Sequence, residues 1–291
     1  MVDGAAQLVA LLDPWLALPA GTALGFVALW VHTRWLGFLP EDVPTPPRKL
    51  HGHATPQAGF LFGGGCALWL AAQGETWLAV AIAILAVTGY LDDRTKPSGG
   101  LDWKWKAGAI VLAAGLITDA AWQLSVGAQV LAFAFAFVVI NATNFLDNQN
   151  GVATALGGFG LVAATGLDGP LGTCALLFLG FLPCNWPRAR LFLGDGGAHA
   201  LGGLLASAAL RNGVTTDGLA LAPLLAPTAV LVADFTQVVF ARVVIGVPPW
   251  VADRRHLTHI VAYLGVPRAW VMPVMLGFAA LALRVIETCV P

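Results

Sequence analysis

Two adjacent carboxylates, Asp92 and Asp93, stand at the end of an apolar run, in the segment "GYLDDRTKPSGG". The C-terminal end of a helix disfavours anions, because its last backbone carbonyls carry partial negative charge. We therefore expect a cation beside the pair, supplied by Arg94 and Lys96 or by a divalent ion. A solvated helix end is the alternative interpretation. The functional interpretation makes Asp92 and Asp93 candidate catalytic residues.

A second polar group follows the apolar run "VLAFAFAFVVI", in the segment "NATNFLDNQNG". Asn144, Asp147 and Asn150 recur there at a spacing of three, which on a helix places them on neighbouring turns of one face. Amide and carboxylate oxygens are the ligands that Mg²⁺ and Mn²⁺ prefer, beside a diphosphate for example. An ordinary Asn-Gly turn would explain Asn150 and Gly151 but not the whole row.

A third carboxylate, Asp195, lies between glycines in "LFLGDGGAHALGG", at the predicted start of a helix. Glycines allow the backbone to approach a phosphate closely, and a helix N-terminus offers free N–H groups to it. Asp195 is therefore a candidate metal ligand beside a phosphate site. The alternative is that Asp195 only caps its helix.

Basic residues come in two further segments, "DWKWK" and "DRRHLTHIVAYLG". Arg254, His256 and His259 form a group suited to phosphate oxygens. A zinc site would usually need a third ligand nearby, and the four cysteines lie in apolar runs. Lys104 or Lys106 could also hold a phosphate, and the sequence does not decide between them.

The elements that must position these residues are membrane-spanning helices. Hydrophobic residues make up 58% of the 291 residues and charged residues 11%, against roughly 25% charged residues in a soluble domain. The predicted fold class is an all-α membrane protein, a polytopic bundle of about ten transmembrane helices in one domain over residues 1–291. Nothing in the sequence indicates nucleic-acid binding. The predicted spans are centred near Ala23, Cys66, Ala83, Leu112, Phe135, Leu161, Leu177, Leu204, Val232 and Leu276.

Charge orients this bundle. With ten spans, all of the 15 basic residues except Arg211 and Arg284 fall in loops on one side. Positive charge stays cytoplasmic, so we predict a plasma-membrane protein with both termini outside and an active site on the cytoplasmic face. A transporter is an alternative, because intramembrane carboxylates such as Asp234 can mark ion paths. Pairing of Asp234 with a nearby loop group is the simpler interpretation.

In this order, the motifs resemble those of the polyprenyl-phosphate N-acetylhexosamine-1-phosphate transferase family, also called glycosyltransferase family 4. The family's aspartate pair is similar to Asp92-Asp93, its N-A-x-N-L-x-D-G-x-D-G to "NATNFLDNQNG", its F-x-G-D-x-G to "LFLGDGG", and its H-L-H-H to "HLTH". The resemblance runs from Arg48 to about Pro267.

The resemblance implies an enzyme that transfers N-acetylhexosamine 1-phosphate from a UDP-sugar to a polyprenyl phosphate, with undecaprenyl phosphate as the expected lipid, and releases UMP. It implies Mg²⁺ as cofactor, with Mn²⁺ as the alternative, held by Asp195 and Asn144 with Asp147 close. Asp92 would orient or deprotonate the lipid phosphate, with Asp93 as its partner. The reaction would begin a cell-surface glycan pathway. Homodimers occur among relatives, but the sequence itself does not indicate one.

Departures from the family pattern leave substrate choice open. Gln57 replaces the arginine and Phe60 a glycine of the family's R-K-x-H-x-x-P-T-P-R-x-G-G, while Asn150 replaces an aspartate and Thr258 a histidine. These changes keep an inactive, binding-only member as an alternative. The triple histidine of the muramyl-pentapeptide branch is absent, so we rank that branch lower.

Overall fold

The computed structural model describes residues 14–44, 53–248, 251 and 254–290. Arg48 and Lys49, two of the predicted cytoplasmic basic residues, lie outside these ranges. The described chain is predominantly helical. Its α-helices are α1 (Ala17–Val31), α2 (Gly59–Ala72), α3 (Thr76–Thr95), α4 (Trp103–Ile117), α5 (Val126–Phe145), α6 (Val152–Thr165), α7 (Gly169–Leu179), α8 (Leu182–Asn185), α9 (Gly194–Gly213), α10 (Leu221–Leu225), α11 (Ala229–Val244), α12 (Leu257–Tyr263) and α13 (Arg268–Cys289). The strands are two antiparallel pairs, β1 (Glu41–Asp42) with β2 (Thr55–Pro56) and β3 (Val214–Thr215) with β4 (Gly218–Leu219).

Each predicted span centre falls inside a different helix, but the helices differ in their capacity to cross a bilayer. In the described ranges, three segments are long and apolar enough to do so, namely Thr76–Ser98, Val126–Phe145 and Arg268–Cys289. Helix α7 has only 11 residues, about 17 Å at 1.5 Å per residue, against a hydrocarbon core of about 30 Å. The all-α fold is confirmed, and the count of about ten spans stays a prediction.

The ninth predicted segment is interrupted. Its start forms the short helix α10, which ends at Leu225, and a new helix begins at Ala229. Pro227 lies between them, and proline lacks the backbone N–H that a continuous helix requires. The break lets α11 take its own direction from its first residue.

Helix α9 runs through the centre of the bundle, and almost all of its residues are buried. It contacts α2, α3, α5 and α6. A Cβ added to Gly197 would press on Gly59 of α2, and one added to Gly202 would press on Ile140 of α5. Small residues allow such close approach between helices in a membrane. The packing of α9 therefore fixes the position of its N-terminus, which carries Asp195.

The segment before α2 is held against the entry to α9 by backbone hydrogen bonds. Ala58 N donates to Phe192 O (3.0 Å), and Gly59 N donates to Leu193 O (3.0 Å). Gln57 and Phe192 form a parallel bridge. These bonds place the side chain of Gln57 at the same end of the bundle as the α9 N-terminus.

Candidate active site

Three carboxylates and two lysines form one ion-paired cluster at an end of the bundle. The Lys96 Nζ lies 2.6 Å from Asp93 Oδ1 and 3.0 Å from Asp195 Oδ1. The Lys106 Nζ lies 3.1 Å from Asp92 Oδ2 and also contacts Asp195 Oδ2. Asp195 thus accepts from both ammonium groups. Residues more than 80 positions apart in the chain meet at a single charged centre.

Two backbone N–H groups and the Gln57 side-chain amide fix the two adjacent carboxylates of α3 in different environments. Asp92 Oδ1 accepts from Leu101 N (3.0 Å), in the turn that leads into α4. Asp93 accepts from the Gln57 amide through Oδ1 (3.2 Å) and from Gly196 N through Oδ2 (3.4 Å). Both aspartates are buried. Both carboxylates lie near the C-terminal end of a helix and have cations beside them, as expected for anions at the negative end of a helix dipole.

The structure shows which basic residues lie beside the aspartates, a choice that the sequence left open. Lys106 is half-buried in the cluster, whereas Lys104 is exposed and its backbone N is capped by Asp102 Oδ1 (2.9 Å). Arg94 turns away from the aspartate pair, since its guanidinium donates to the Tyr90 hydroxyl (3.2 Å). The cations beside Asp92 and Asp93 are therefore Lys96 and Lys106.

The predicted helical face of Asn144, Asp147 and Asn150 is wrong. Helix α5 ends at Phe145, and the chain turns through Gly151, whose φ of 75° is left-handed and suits glycine. Only Asn144 remains on the helix. Asp147 Oδ2 accepts from Gly194 N (3.0 Å), and the Asn150 amide donates to Pro187 O (3.1 Å). The row is a turn whose members face different neighbours.

Asp147 joins the edge of the charged cluster through this turn. Burial, together with repulsion from the carboxylates of Asp195 and Asp93, raises the pKa of Asp147 to about 7. The Lys96 ammonium and the Gly194 N–H oppose this shift in the pKa of Asp147 but do not cancel it. Near neutral pH the side chain is thus poised between its acid and its base form, and an added cation would favour the carboxylate.

Asp195 does not act as the N-cap of its helix. Helix α9 begins at Gly194, the N-cap position is Leu193, and Asp195 lies within the first turn. Its carboxylate faces the two lysines instead. The left-handed φ of 67° at Gly194, where any Cβ would meet Asp93 and Gln57, explains why glycine precedes the aspartate.

The predicted phosphate-binding histidines lie against the turn after α5. The Thr258 hydroxyl donates to Asn148 Oδ1 (2.6 Å), and Gln149 Nε2 lies 3.4 Å from His259 Nδ1. The His256 ring packs edge-on against Phe145, with centroids 5.9 Å apart. Arg254 is half-buried at the start of the same segment. The basic segment therefore contacts the oxygen-rich segment through these side chains.

Comparison with known proteins identifies the family of this site. Residues 76–213, which contain Asp92, Asp93, Asp147 and Asp195, match the model for glycosyl transferase family 4. The phospho-N-acetylmuramoyl-pentapeptide-transferase of Synechococcus sp. (strain JA-3-3Ab) is 35% identical over an alignment of 248 positions, which covers 70% of this chain and 71% of that protein. The chain belongs to glycosyl transferase family 4. The resemblance inferred from the motifs is thereby confirmed.

Family members of a second kind are also similar to this chain. The decaprenyl-phosphate N-acetylglucosaminephosphotransferase of Mycolicibacterium smegmatis is 28% identical over an alignment of 308 positions, which covers 85% of this chain and 75% of that protein. Its counterpart in Mycobacterium leprae is 30% identical over an alignment of 288 positions, which covers 75% of this chain and 70% of that protein. Relatives from both branches thus match, and the lower rank of the muramyl-pentapeptide branch stays a prediction. Membership and the apolar helices make this a membrane-integral protein.

The departures from the family 4 motifs lie in or beside the candidate site. Gln57, in place of an arginine, donates to Asp93 and is 5% exposed, while its Oε1 is buried without a hydrogen-bond partner. Thr258, in place of a histidine, bonds to Asn148, which itself stands where the motif has glycine. Asn150, in place of an aspartate, bonds to a loop carbonyl. Two of the departures, Thr258 and Asn148, thus contact each other and join the histidine segment to the turn after α5.

The donor atoms of the cluster fit a hard divalent cation in chemistry and in charge. Four carboxylates, Asp92, Asp93, Asp147 and Asp195, face two ammonium groups, so the fully ionised cluster has an excess of negative charge. Carboxylate oxygens are the ligands that Mg²⁺ prefers. Within the described ranges, no three His, Cys, Asp or Glu side chains are arranged around a common ion position, because the lysines occupy the space between the carboxylates. A cation would have to displace an ammonium group.

Three residues of the site were missing from the sequence-based set. Lys96 was considered only as a counter-charge, yet it bridges Asp93 and Asp195. Gln57 was noted only as a departure from the motif. Asp234 was expected to pair with a nearby loop group, and this is confirmed by its contact with His256 Nδ1 (2.8 Å). The i,i+3 spacing of Asp93 and Lys96 was the signal available for the lysine.

Proposed function

We propose that this protein transfers N-acetylhexosamine 1-phosphate from a UDP-sugar to a polyprenyl phosphate and releases UMP. The observation that supports this most directly is the convergence of four carboxylates and two lysines, from α3, α4, the turn after α5 and α9, at one end of the bundle. Membership of family 4 supports the same reaction class, because the names of the relatives describe such transfers.

In the proposed reaction an oxygen of the lipid phosphate attacks the phosphorus that carries the sugar. A new P–O bond forms to the lipid phosphate, the P–O bond to UMP breaks, and UMP leaves with the electron pair. A lipid phosphate is largely ionised near neutral pH, since the second pKa of a phosphate monoester is about 6. The protein therefore has little proton transfer to perform, and its main contribution is to position the two reactants and to stabilise charge.

The residues divide between the two reactants and the cation. Asp195 and Asn144 would hold Mg²⁺ or Mn²⁺, with Asp147 adjacent. When bound, the cation would neutralise charge that develops on the diphosphate. Lys96 and Lys106, which both contact Asp195, would bind phosphate oxygens. Asp92 would orient the lipid phosphate and Asp93 would fix the position of Lys96.

Arg254, His256 and His259 would bind the phosphates from the opposite side of the turn after α5. Asn150 donates its amide to Pro187 O, so its contribution would be to hold the turn rather than to bind substrate. In this arrangement Lys96 and Lys106 would contact the diphosphate on one side, and the basic segment with Arg254, His256 and His259 would contact it on the other. Attraction to both ends would orient the nucleotide sugar.

The proposed site lies at the cytoplasmic surface of the membrane, where the two reactants can meet. Two exposed tryptophans support a membrane boundary at this level, namely Trp103 and Trp105, each more than 70% exposed. Indole rings concentrate at bilayer interfaces. Trp103 and Trp105 flank Lys104 at the start of α4, directly beside the cluster. A soluble nucleotide sugar and a lipid phosphate would both have access there.

The test is an assay of the purified protein with undecaprenyl phosphate, Mg²⁺ and a panel of UDP-sugars, in which UMP and glycolipid are both measured. Asp195→Ala should abolish metal-dependent exchange of UMP into the nucleotide sugar. Asp217→Ala serves as a matched control, because Asp217 is an exposed acid in the turn between β3 and β4. Exchange that survives in Asp195→Ala would contradict the metal assignment.

The same preparation distinguishes the alternatives. Nucleotide-sugar binding without UMP release, in the presence of Mg²⁺ and lipid phosphate, would indicate an inactive family member. Uptake of a solute into liposomes without UMP release would indicate a transporter. In the proposed function, UMP and glycolipid appear in equal amounts for at least one UDP-sugar.

A further inference from the structure

A buried carboxylate away from the charged cluster has a defined partner. Asp234 lies in α11 and is 0% exposed. Burying an ionised carboxylate is costly unless hydrogen bonds compensate for the lost water. Both of its oxygens are engaged, since Oδ1 accepts from Leu257 N (2.6 Å) and Oδ2 lies 2.8 Å from His256 Nδ1. The carboxylate thus joins α11 to the start of α12.

These contacts determine which nitrogen of His256 carries a proton. An ionised carboxylate can only accept hydrogen bonds, so the proton between Asp234 and His256 resides on Nδ1. The Nε2 of His256 then points away from Asp234. A carboxylate that fixes the tautomer and orientation of a histidine in this way is common behind metal-binding imidazoles.

The histidine so fixed borders the candidate site. The His256 ring packs on Phe145, the last residue of α5, and its centroid lies 6.0 Å from that of His259. His259 in turn contacts Gln149, two residues after Asp147. His256 is therefore the link between buried Asp234 and the turn that reaches the α9 N-terminus.

We propose that Asp234 is a positioning residue, which holds His256 so that its Nε2 meets a phosphate oxygen of the substrate. This inference rests on the proposed function. A ring that donates from Nε2 to phosphate while Nδ1–H donates to Asp234 is an imidazolium, and Asp234 offsets its charge. Asp234 itself does not touch the substrate.

The critical variant is Asp234→Asn, which has nearly the same shape. The asparagine Oδ1 can still accept from Leu257 N, but its Nδ2 would donate to His256 Nδ1. The ring would then be confined to its neutral form, with its proton on Nε2. We expect kcat/KM for the nucleotide sugar to fall about 10- to 100-fold, as for other groups that orient a ligand. Asp217→Asn, in an exposed turn, is the matched control and should retain wild-type values.

A double-mutant cycle separates this role from a structural one. If Asp234 acts through His256, Asp234→Asn should cause no further loss in the His256→Gln background. The cycle is measured for kcat/KM and for the Kd of UMP. Equal losses in both backgrounds would overturn the proposal, as would wild-type values in Asp234→Asn.

One further variant remains informative if Asp234→Asn does not fold. In His256→Asn, the side-chain amide can still donate to Asp234 while the Nε2 group is absent. We expect an unchanged melting temperature and the same 10- to 100-fold loss. Full activity or unchanged UMP binding in His256→Asn would overturn the proposal. If the wild-type protein turned over no UDP-sugar, the proposed function would fail, whereas the UMP-binding cycle would still decide the role of Asp234.

Discussion

Replacement of Lys106 by methionine tests the central electrostatic argument. The Lys106 Nζ contacts Asp92 Oδ2 at 3.1 Å and also contacts Asp195 Oδ2, and its side chain is 24% exposed. Methionine retains most of the apolar stem but removes the charge and the donors. If Lys106 transfers to phosphate oxygens when substrate binds, Lys106→Met loses those contacts in the transition state.

The magnitude follows from the number of charge-assisted hydrogen bonds. Each is worth roughly 1.5–3 kcal/mol when its partner is charged, and the ammonium group makes two. Because solvent reaches the lysine, we take about 3–4 kcal/mol for both together. This corresponds to a fall in kcat/KM of about 10²- to 10³-fold at 1.36 kcal/mol per factor of ten.

The assay follows UMP release from the preferred UDP-sugar at several Mg²⁺ concentrations. Because Lys106 would compete with a cation for Asp195 in the proposed site, we expect the Mg²⁺ concentration for half-maximal activity to fall in Lys106→Met while kcat/KM decreases. Lys104→Met is the matched control, since Lys104 lies two residues away, is exposed and is outside the cluster. Equal losses in both variants, or more than half of wild-type activity in Lys106→Met, would refute the reasoning.

Three further predictions concern stability. In metal-free detergent solution Asp147→Asn should raise the melting temperature more at pH 8.5 than at pH 5.5. A carboxyl whose folded pKa is raised from 3.8 to about 7 contributes stability that is fully present below about pH 4 and is lost as the pH rises to about 7, by at most about 4 kcal/mol. Equal effects at both pH values would argue against it. Glu75→Gln should cost about 1 kcal/mol at pH 7 by thermal unfolding, because the Arg211 guanidinium bonds both Glu75 oxygens (2.9 and 2.6 Å) and holds the pKa of Glu75 below its usual value. The difference should shrink as the pH falls below 4.5 and vanish below the lowered pKa of Glu75. Gly89→Ala should lower stability by about 1–3 kcal/mol or prevent folding, because the new Cβ would meet the backbone of α9 at Gly196. Gly64→Ala, with open space around it, is its control, and similar melting temperatures for the two would contradict the packing argument.

Much of this site could be predicted from the sequence, because the relevant signals are local. Asp92-Asp93, Asp195 and the histidine segment were predicted from charge, spacing and helix ends, and the structure places them at one end of the bundle. Those signals are local, because an apolar run followed by uncompensated carboxylates requires a cation regardless of the fold. The helical centres were equally readable, since a membrane segment must satisfy its backbone hydrogen bonds within itself.

Other features depended on contacts between distant segments. A spacing of three did not reveal that α5 ends at Phe145, because the turn after it is stabilised by bonds to Gly194 and Pro187. The choice between Lys104 and Lys106 depended on the side of α4 that packs towards Asp195.

By itself, the sequence determined the all-α class, the family and the identity of the charged groups, since these depend on composition and on short motifs. Only the tertiary structure decided which cation meets which carboxylate and that Asp234 holds His256 Nδ1. Such pairings are set by the close packing of α9 and α11 with their neighbours. Distances of about 3 Å between side chains far apart in the chain follow from packing, which no local pattern encodes.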